Sequence, residues 1–71
     1  MKRTLGWFQR YRMDWIAEML MIYGYVNRAH LESKFGISTP QASVDLKRFA
    51  KLHPRTMTYD VIKKRYVAVE V

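Results

Sequence analysis

The 71-residue chain has no cysteine, three glycines and two prolines. The lack of cysteine excludes disulfides, thiolate metal sites and cysteine nucleophiles, and it is typical of intracellular proteins. The three glycines lie far apart, so no glycine-rich phosphate loop is present. No stretch reaches the ~20 apolar residues of a membrane span, and no signal-peptide pattern follows the charged start. We therefore expect a cytoplasmic location and no membrane partner.

Residues that could support catalysis are also scarce. The two histidines, His30 and His53, lie on different predicted helices and could bind a metal only together with carboxylates. The serines Ser33, Ser38 and Ser43 have no evident base and orienting acid. The sequence predicts no enzyme activity, no cofactor, no metal and no evident small-molecule ligand.

Acidic residues are few, and the basic residues that outnumber them are clustered. The chain has 13 Lys and Arg against 6 Asp and Glu, for a net charge of +7. Residues 1–12 hold four basic residues and no acid, and residues 47–65 hold seven basic residues and one acid. This clustering favours a polyanionic partner. A basic protein without such a partner is the alternative.

The stretch 27–52 has the pattern of two short helices joined by a tight turn. Asn27 is a good N-cap, and Leu31 and Phe35 recur at the spacing of a buried helical stripe. Gly36 follows where a helix end favours a residue with positive φ. The pattern indicates a helix-turn-helix.

The second of these helices has one apolar and one polar face. Ser38 or Thr39 caps it, and Pro40 occupies its first position. The predicted buried face is Ala42, Leu46 and Phe49. The opposite face carries Gln41, Ser43, Val44, Lys47, Arg48 and Lys51. Such a helix suits insertion into a DNA groove, although an ordinary helical hairpin uses the same caps and stripes.

The first long helix, predicted over 7–24, is unusually apolar. One set of residues has helical spacing: Phe8, Tyr11, Trp15, Met19 and Ile22 or Tyr23. A second apolar set, Ile16, Leu20 and Tyr23, lies beside it. Every residue of 19–23 is apolar or aromatic. In so small a domain we expect a second copy to cover these turns, which predicts a homodimer through helix 7–24. A plain core helix is one alternative. A membrane-surface helix is another, which Asp14 and Glu18 disfavour.

The period changes to two after Pro54, which predicts two strands in 56–61 and 65–69. A four- or five-residue loop opened by Asp60 joins them, and Tyr25–Val26 is long enough for a third strand. We predict a mainly α fold with a small sheet (α+β), in the order helix, short strand, helix, helix, strand, strand. This is a winged helix-turn-helix, forming a single domain over 1–71 with 1–6 flexible.

The predicted hairpin, or wing, spans 60–66 and carries Lys63, Lys64 and Arg65 at or near its tip. A basic tip beside a groove-binding helix can hold the phosphate backbone while the helix reads base edges. A solvated turn, in which lysine blocks edge pairing, is the alternative.

Several short runs carry a family resemblance. They are Val26-Asn27-Arg28-Ala29-His30-Leu31, Phe35-Gly36-Ile37-Ser38, Pro40-Gln41-Ala42-Ser43 with Asp45-Leu46, Tyr59-Asp60, and Lys64-Arg65-Tyr66-Val67. Together they resemble the N-terminal winged-helix domain of WYL-domain transcription regulators, in particular the bacterial repressors attached to phage-defence loci. The resemblance covers most of the chain.

The resemblance implies a dimer on a palindromic operator, with helix 39–52 in the major groove. It implies that Thr39, Gln41 and Ser43 lie near bases and that the Lys64–Arg65 end of the wing lies near phosphate. The WYL ligand-sensing domain is not in these residues, so the chain is expected to be a stand-alone regulator or an excised domain.

The sequence thus predicts a double-stranded DNA-binding transcription regulator, of repressor type. Gln41 is the first candidate for base reading, because its amide can pair with an adenine edge. The full predicted site is Thr39, Pro40, Gln41, Ser43, Val44, Lys47, Arg48, Lys51, Lys63, Lys64 and Arg65. The alternative is a phage or mobile-element module that binds a host protein through the first helix. RNA binding is weaker, because no stacking platform is evident on the sheet.

Overall fold

A computed structural model describes residues 6–69 as three helices and a three-stranded antiparallel sheet. The elements are α1 (Trp7–Tyr23), β1 (Tyr25–Val26), α2 (Arg28–Phe35), α3 (Thr39–Leu52), β2 (Met57–Asp60) and β3 (Arg65–Ala68). The strand order in the sheet is β1-β3-β2. This confirms the predicted α+β winged-helix order. The predicted flexibility of 1–6 falls almost wholly outside the described residues.

The helices begin and end at residues that cap them. Gly24 ends α1 in the left-handed region, with φ 83°, and its N–H donates to two carbonyls of the last turn. Asn27 and His30 form a reciprocal capping box at the start of α2, at 3.0 and 3.2 Å. Gly36 ends α2 with φ 65°. Ser38, rather than Thr39, caps α3 by accepting from the Gln41 N–H at 3.2 Å.

The core lies where the three helices meet the sheet. Its buried apolar members are Met13, Ile16, Leu20, Val26, Leu31, Ala42, Leu46, Phe49 and Met57. The predicted buried face of α3 is confirmed. On α1 the deeply buried residues are Ile16 and Leu20 of the second predicted set, together with Met13. Two apolar sets run along this helix, and the second lies deeper in the core.

Several other apolar side chains of α1 remain on the surface. The exposed ones are Trp7, Phe8, Tyr11, Met21, Ile22 and Tyr23. Trp7 stacks on Tyr11 at a centroid distance of 5.7 Å, and Tyr11 meets Phe35 of α2 edge-on at 5.6 Å. One face of α1 therefore presents aromatic and aliphatic side chains to solvent. No helix in residues 6–69 has the length and apolarity to cross a membrane.

The wing is a β-hairpin whose loop is organised by one carboxylate. Strand β2 pairs with β3 in a register that places Asp60 opposite Arg65. The Asp60 Oδ1 accepts the N–H groups of Ile62 and Lys63 at 3.0 and 3.1 Å, which confirms the predicted loop opening. Lys64 closes the loop with φ 56°, in the left-handed region that L-residues adopt at a cost.

Candidate nucleic-acid interface

Helix α3 presents its first turn to solvent. Thr39 and Pro40 are exposed and Gln41 is half-buried. Ser38 caps the Gln41 N–H of this turn, and Pro40 has no N–H to satisfy. A helix N-terminus carrying short polar side chains is the part that reaches base edges in helix-turn-helix proteins.

The exposed side of α3 continues with an apolar residue and cations. Val44, Lys47 and Lys51 are exposed, and Ser43 is half-buried beside them. The opposite side is anchored by Ala42, Leu46 and Phe49 in the core. The apolar side of α3 is therefore packed against the core, and its polar side is exposed to solvent.

Arg48 differs from these residues, because it is not free on the exposed side of α3. It is half-buried, and the Gln9 amide, oriented with its oxygen towards the guanidinium, accepts from Arg48 Nε at 2.9 Å. Arg48 thus ties α3 to the start of α1. The helical pattern placed Arg48 on the polar face, but it could not show that the start of α1 lies next to it.

Gln41 is also engaged within the fold. Its Nε2 donates to Asp45 Oδ1 at 2.9 Å, one turn further along α3. Asp45 is fully buried and receives Nε of Arg12 at 2.5 Å and Nη2 at 3.3 Å. The side chain of Arg12 is 15% exposed. This Arg12–Asp45–Gln41 network joins α1 to the exposed side of α3, and it was not predicted from the sequence.

The three basic residues of the wing lie in different environments. Lys63 and Lys64 are exposed at the loop. Arg65 instead lies half-buried over the ring of Tyr25, with its guanidinium carbon 4.0 Å from the ring centroid. Such a cation–π contact explains why it turns towards β1. Its Nε is buried and has no hydrogen-bond partner among the described residues.

An open groove of about 200 Å³ separates α3 from the wing. It brings together three predicted site residues, Ser43, Lys47 and Lys64. The start of α2 adds Asn27 and Arg28 to its lining. Three cations from three elements therefore converge on one polar groove, a geometry that suits a phosphate backbone.

Two functional candidates were missed from sequence. Arg28 follows the Asn27 cap directly, and only the tertiary packing brings it to the groove. Asp45 follows the buried Ala42 by three residues and precedes the buried Leu46 by one, so helical spacing could have placed it on the inner face.

The element order, the supported helix α3 and the basic hairpin beside it define a winged helix-turn-helix domain. The family model described as "BrxR transcriptional regulator winged helix-turn-helix domain" matches residues 8–71. The chain belongs to this family, which confirms the resemblance seen in the sequence. The family is one of transcription-regulator domains and not a class of enzymes, so the prediction of no catalysis is confirmed as well.

Three curated relatives share the name "DNA-binding transcriptional repressor CapW". The protein of Escherichia coli (strain KTE188) is 42% identical over 60 residues, which cover 84% of this chain and 20% of the relative. The Pseudomonas aeruginosa protein is 41% identical over 64 residues, covering 90% and 21%. The Stenotrophomonas maltophilia protein is 37% identical over 62 residues, covering 87% and 21%. The chain thus spans about a fifth of the length of these relatives.

Proposed function

We propose that this chain is a cytoplasmic, sequence-specific double-stranded DNA-binding domain that acts as a dimeric transcription repressor. Helix 39–52 lies in the major groove, and the 60–66 wing lies along the phosphate backbone. The observation that carries the proposal is the groove between α3 and the wing, where Lys47, Lys64 and Arg28 converge beside Ser43. The names of the CapW relatives agree with this function.

The predicted site residues divide into two groups by their position. Thr39, Gln41 and Ser43 lie on the first turns of α3, where a groove-bound helix meets base edges. Pro40 and Val44 are exposed between them and could contact a thymine methyl group.

The second group holds phosphates. It comprises the exposed cations Lys47, Lys51, Lys63 and Lys64. Arg48 and Arg65 would have to leave Gln9 and Tyr25, respectively, to reach a phosphate. We therefore assign the backbone contacts mainly to the four lysines and to Arg28.

The test is selection from a random duplex library, followed by affinity measurements on the enriched duplex and on a scrambled one. Five phosphate contacts predict that log K falls with log salt at a slope of about −4 to −5. Gln41→Ala should reduce the preference for the enriched duplex, whereas Lys64→Ala should weaken both duplexes alike. Arg10→Ala removes an exposed cation outside the proposed site and serves as the control. Failure to enrich any sequence would contradict specific recognition.

We place the dimer contact on the exposed apolar face of α1. Ile22 is 66% exposed, and Met21 and Tyr23 beside it are also exposed, so the last turn lacks cover within the described chain. Ile22→Gln should shift the protein from dimer to monomer in sedimentation analysis. Ile62, 90% exposed at the wing, offers the matched control Ile62→Gln, which should leave the assembly intact. A monomeric wild-type chain would contradict this contact.

The same face favours a second candidate function, a module that binds a host protein through α1. Salt separates the two functions, because an apolar interface depends weakly on ionic strength and phosphate binding depends on it steeply. A partner captured equally well at low and high salt, by a chain that enriches no duplex, would favour the module.

A further inference from the structure

Asp45 is the one charged side chain that is fully buried within residues 6–69, and it lies on the helix proposed to read DNA. Its carboxylate accepts Nε and Nη2 of Arg12 on one side. On the other side it accepts Nε2 of Gln41 at 2.9 Å. A buried carboxylate thus connects the scaffold helix α1 to the candidate base-reading side chain.

The acceptor-only character of Asp45 fixes how the Gln41 amide is oriented. An ionised carboxylate has no hydrogen to donate, so the NH₂ end of the amide must face it and the amide oxygen must turn away. The NH₂ group has two hydrogens, and Asp45 takes one of them. The remaining N–H and the oxygen are left for another partner.

Gln41 could have satisfied a different bond. It stands three residues after the Ser38 cap, where the Gln of a capping box reaches back to the N-cap N–H. Its side chain instead reaches forward to Asp45. The backbone half of the box is present, since Ser38 Oγ accepts the Gln41 N–H. The Gln41 side-chain amide therefore bonds the Asp45 carboxylate and not the N–H of Ser38.

We infer that Asp45 is a positioning residue for DNA specificity, which holds Gln41 so that it presents one acceptor and one donor side by side. This pair matches the N6 donor and N7 acceptor of adenine in the major groove. The inference rests on the proposed function and deepens it. Asp45 itself touches no base, because it is buried, and Arg12 keeps its charge compensated from behind.

The test is the same random-duplex selection, performed with the wild type, Gln41→Ala, Asp45→Asn and the double variant Gln41→Ala/Asp45→Asn. The wild type should enrich adenine at one position of each half-site, by about 5- to 150-fold over the other bases, as a bidentate contact provides. Asp45→Asn should lose most of this preference at that position only, because an amide at 45 accepts either orientation of Gln41. Preferences at the other positions should remain.

The double variant separates positioning from general damage. If Asp45 acts through Gln41, Asp45→Asn should change nothing at the adenine position once Gln41 is Ala, so the two effects are not additive. The matched control is Asp14→Asn, the same chemical change at an exposed carboxylate of α1. It should leave the selected sequence unchanged.

A measurement on the free wild-type protein keeps the inference testable even if Asp45→Asn does not fold. By NMR, one of the two Gln41 side-chain amide protons should exchange with solvent more slowly than in an unstructured peptide and should be shifted from its peptide value, because it is bonded to a buried carboxylate. Gln9, whose amide oxygen accepts from Arg48, gives a contrasting case in which the charged partner is on the oxygen side. Two Gln41 amide protons with the chemical shifts and exchange rates of an unstructured peptide would overturn the inference.

The outcomes distinguish a failure of the role inferred for Asp45 from a failure of the proposed DNA-binding function. If the wild type enriches no duplex, the proposed function is wrong and the role of Asp45 falls with it. If the wild type enriches a motif and Asp45→Asn keeps the same adenine preference, only the inference is wrong. If Gln41→Ala and Asp45→Asn both lose the adenine preference and the double variant loses no more than Gln41→Ala, both stand.

Discussion

Replacement of Arg12 by methionine should destabilise the domain strongly, because it leaves the Asp45 carboxylate buried with Gln41 as its remaining partner. Arg12 supplies two of the three donors to that carboxylate. Methionine keeps most of the apolar stem of arginine, so the change removes the charge and the donors more than the packing.

The expected magnitude follows from the burial of the pair. Removal of one partner of a buried ion pair costs about 3–5 kcal/mol. The side chain of Arg12 is 15% exposed, so water can reach it, and we take the lower end, ~3 kcal/mol. A domain of this size is stable by about 4–10 kcal/mol in total. Arg12→Met should therefore lower the melting temperature by roughly 12–24 °C.

The assay is urea denaturation followed by far-ultraviolet circular dichroism. Arg10→Met makes the same change at an exposed position two residues away and should shift the free energy of unfolding by no more than about 0.5 kcal/mol. Arg12→Met/Asp45→Asn should recover more than about 1 kcal/mol relative to Arg12→Met, because no uncompensated charge stays buried. A single variant within 1 kcal/mol of the wild type, or a double variant no more stable than the single, would refute this reasoning.

Three further predictions concern backbone geometry and caps. Lys64→Gly should raise the free energy of unfolding relative to Lys64→Ala by about 1 kcal/mol, since φ 56° strains any L-residue; equal stability by urea denaturation would show that the wing carries no such strain. Gly24→Ala should cost about 1–2 kcal/mol at φ 83°, while Gly6→Ala, in extended backbone with open space around it, should cost little. Asn27→Ala removes the cap that accepts the His30 N–H and should cost about 1 kcal/mol, visible as a lower melting temperature; an unchanged value would contradict the capping box.

The helices and strands could be predicted because their ends are set by neighbouring residues. Asn27 and Gly36 bound α2 through bonds that span three or four residues, and Asp60 opens the wing loop in the same way. Apolar spacing on α3 likewise identified the buried face. Features that depend on residues a few positions apart can be predicted from the local sequence.

Contacts between distant residues could not be predicted in this way. Arg12 and Asp45 are 33 residues apart, and nothing near Arg12 marks it as the partner of a buried acid. The stacking of Arg65 on Tyr25 depends on the antiparallel pairing of β1 with β3. Of the two apolar sets on α1, local spacing could not choose which would face α3.

The left-handed turn at Gly24 has a mechanical consequence. It passes the chain from α1 into β1 without a linker, and its carbonyl accepts the N–H of Ala68, at the base of the wing, at 2.8 Å. A rotation of α1 would therefore move the base of the hairpin directly. In the proposed dimer, a change in the angle between the two subunits would therefore move both wings relative to the DNA at once.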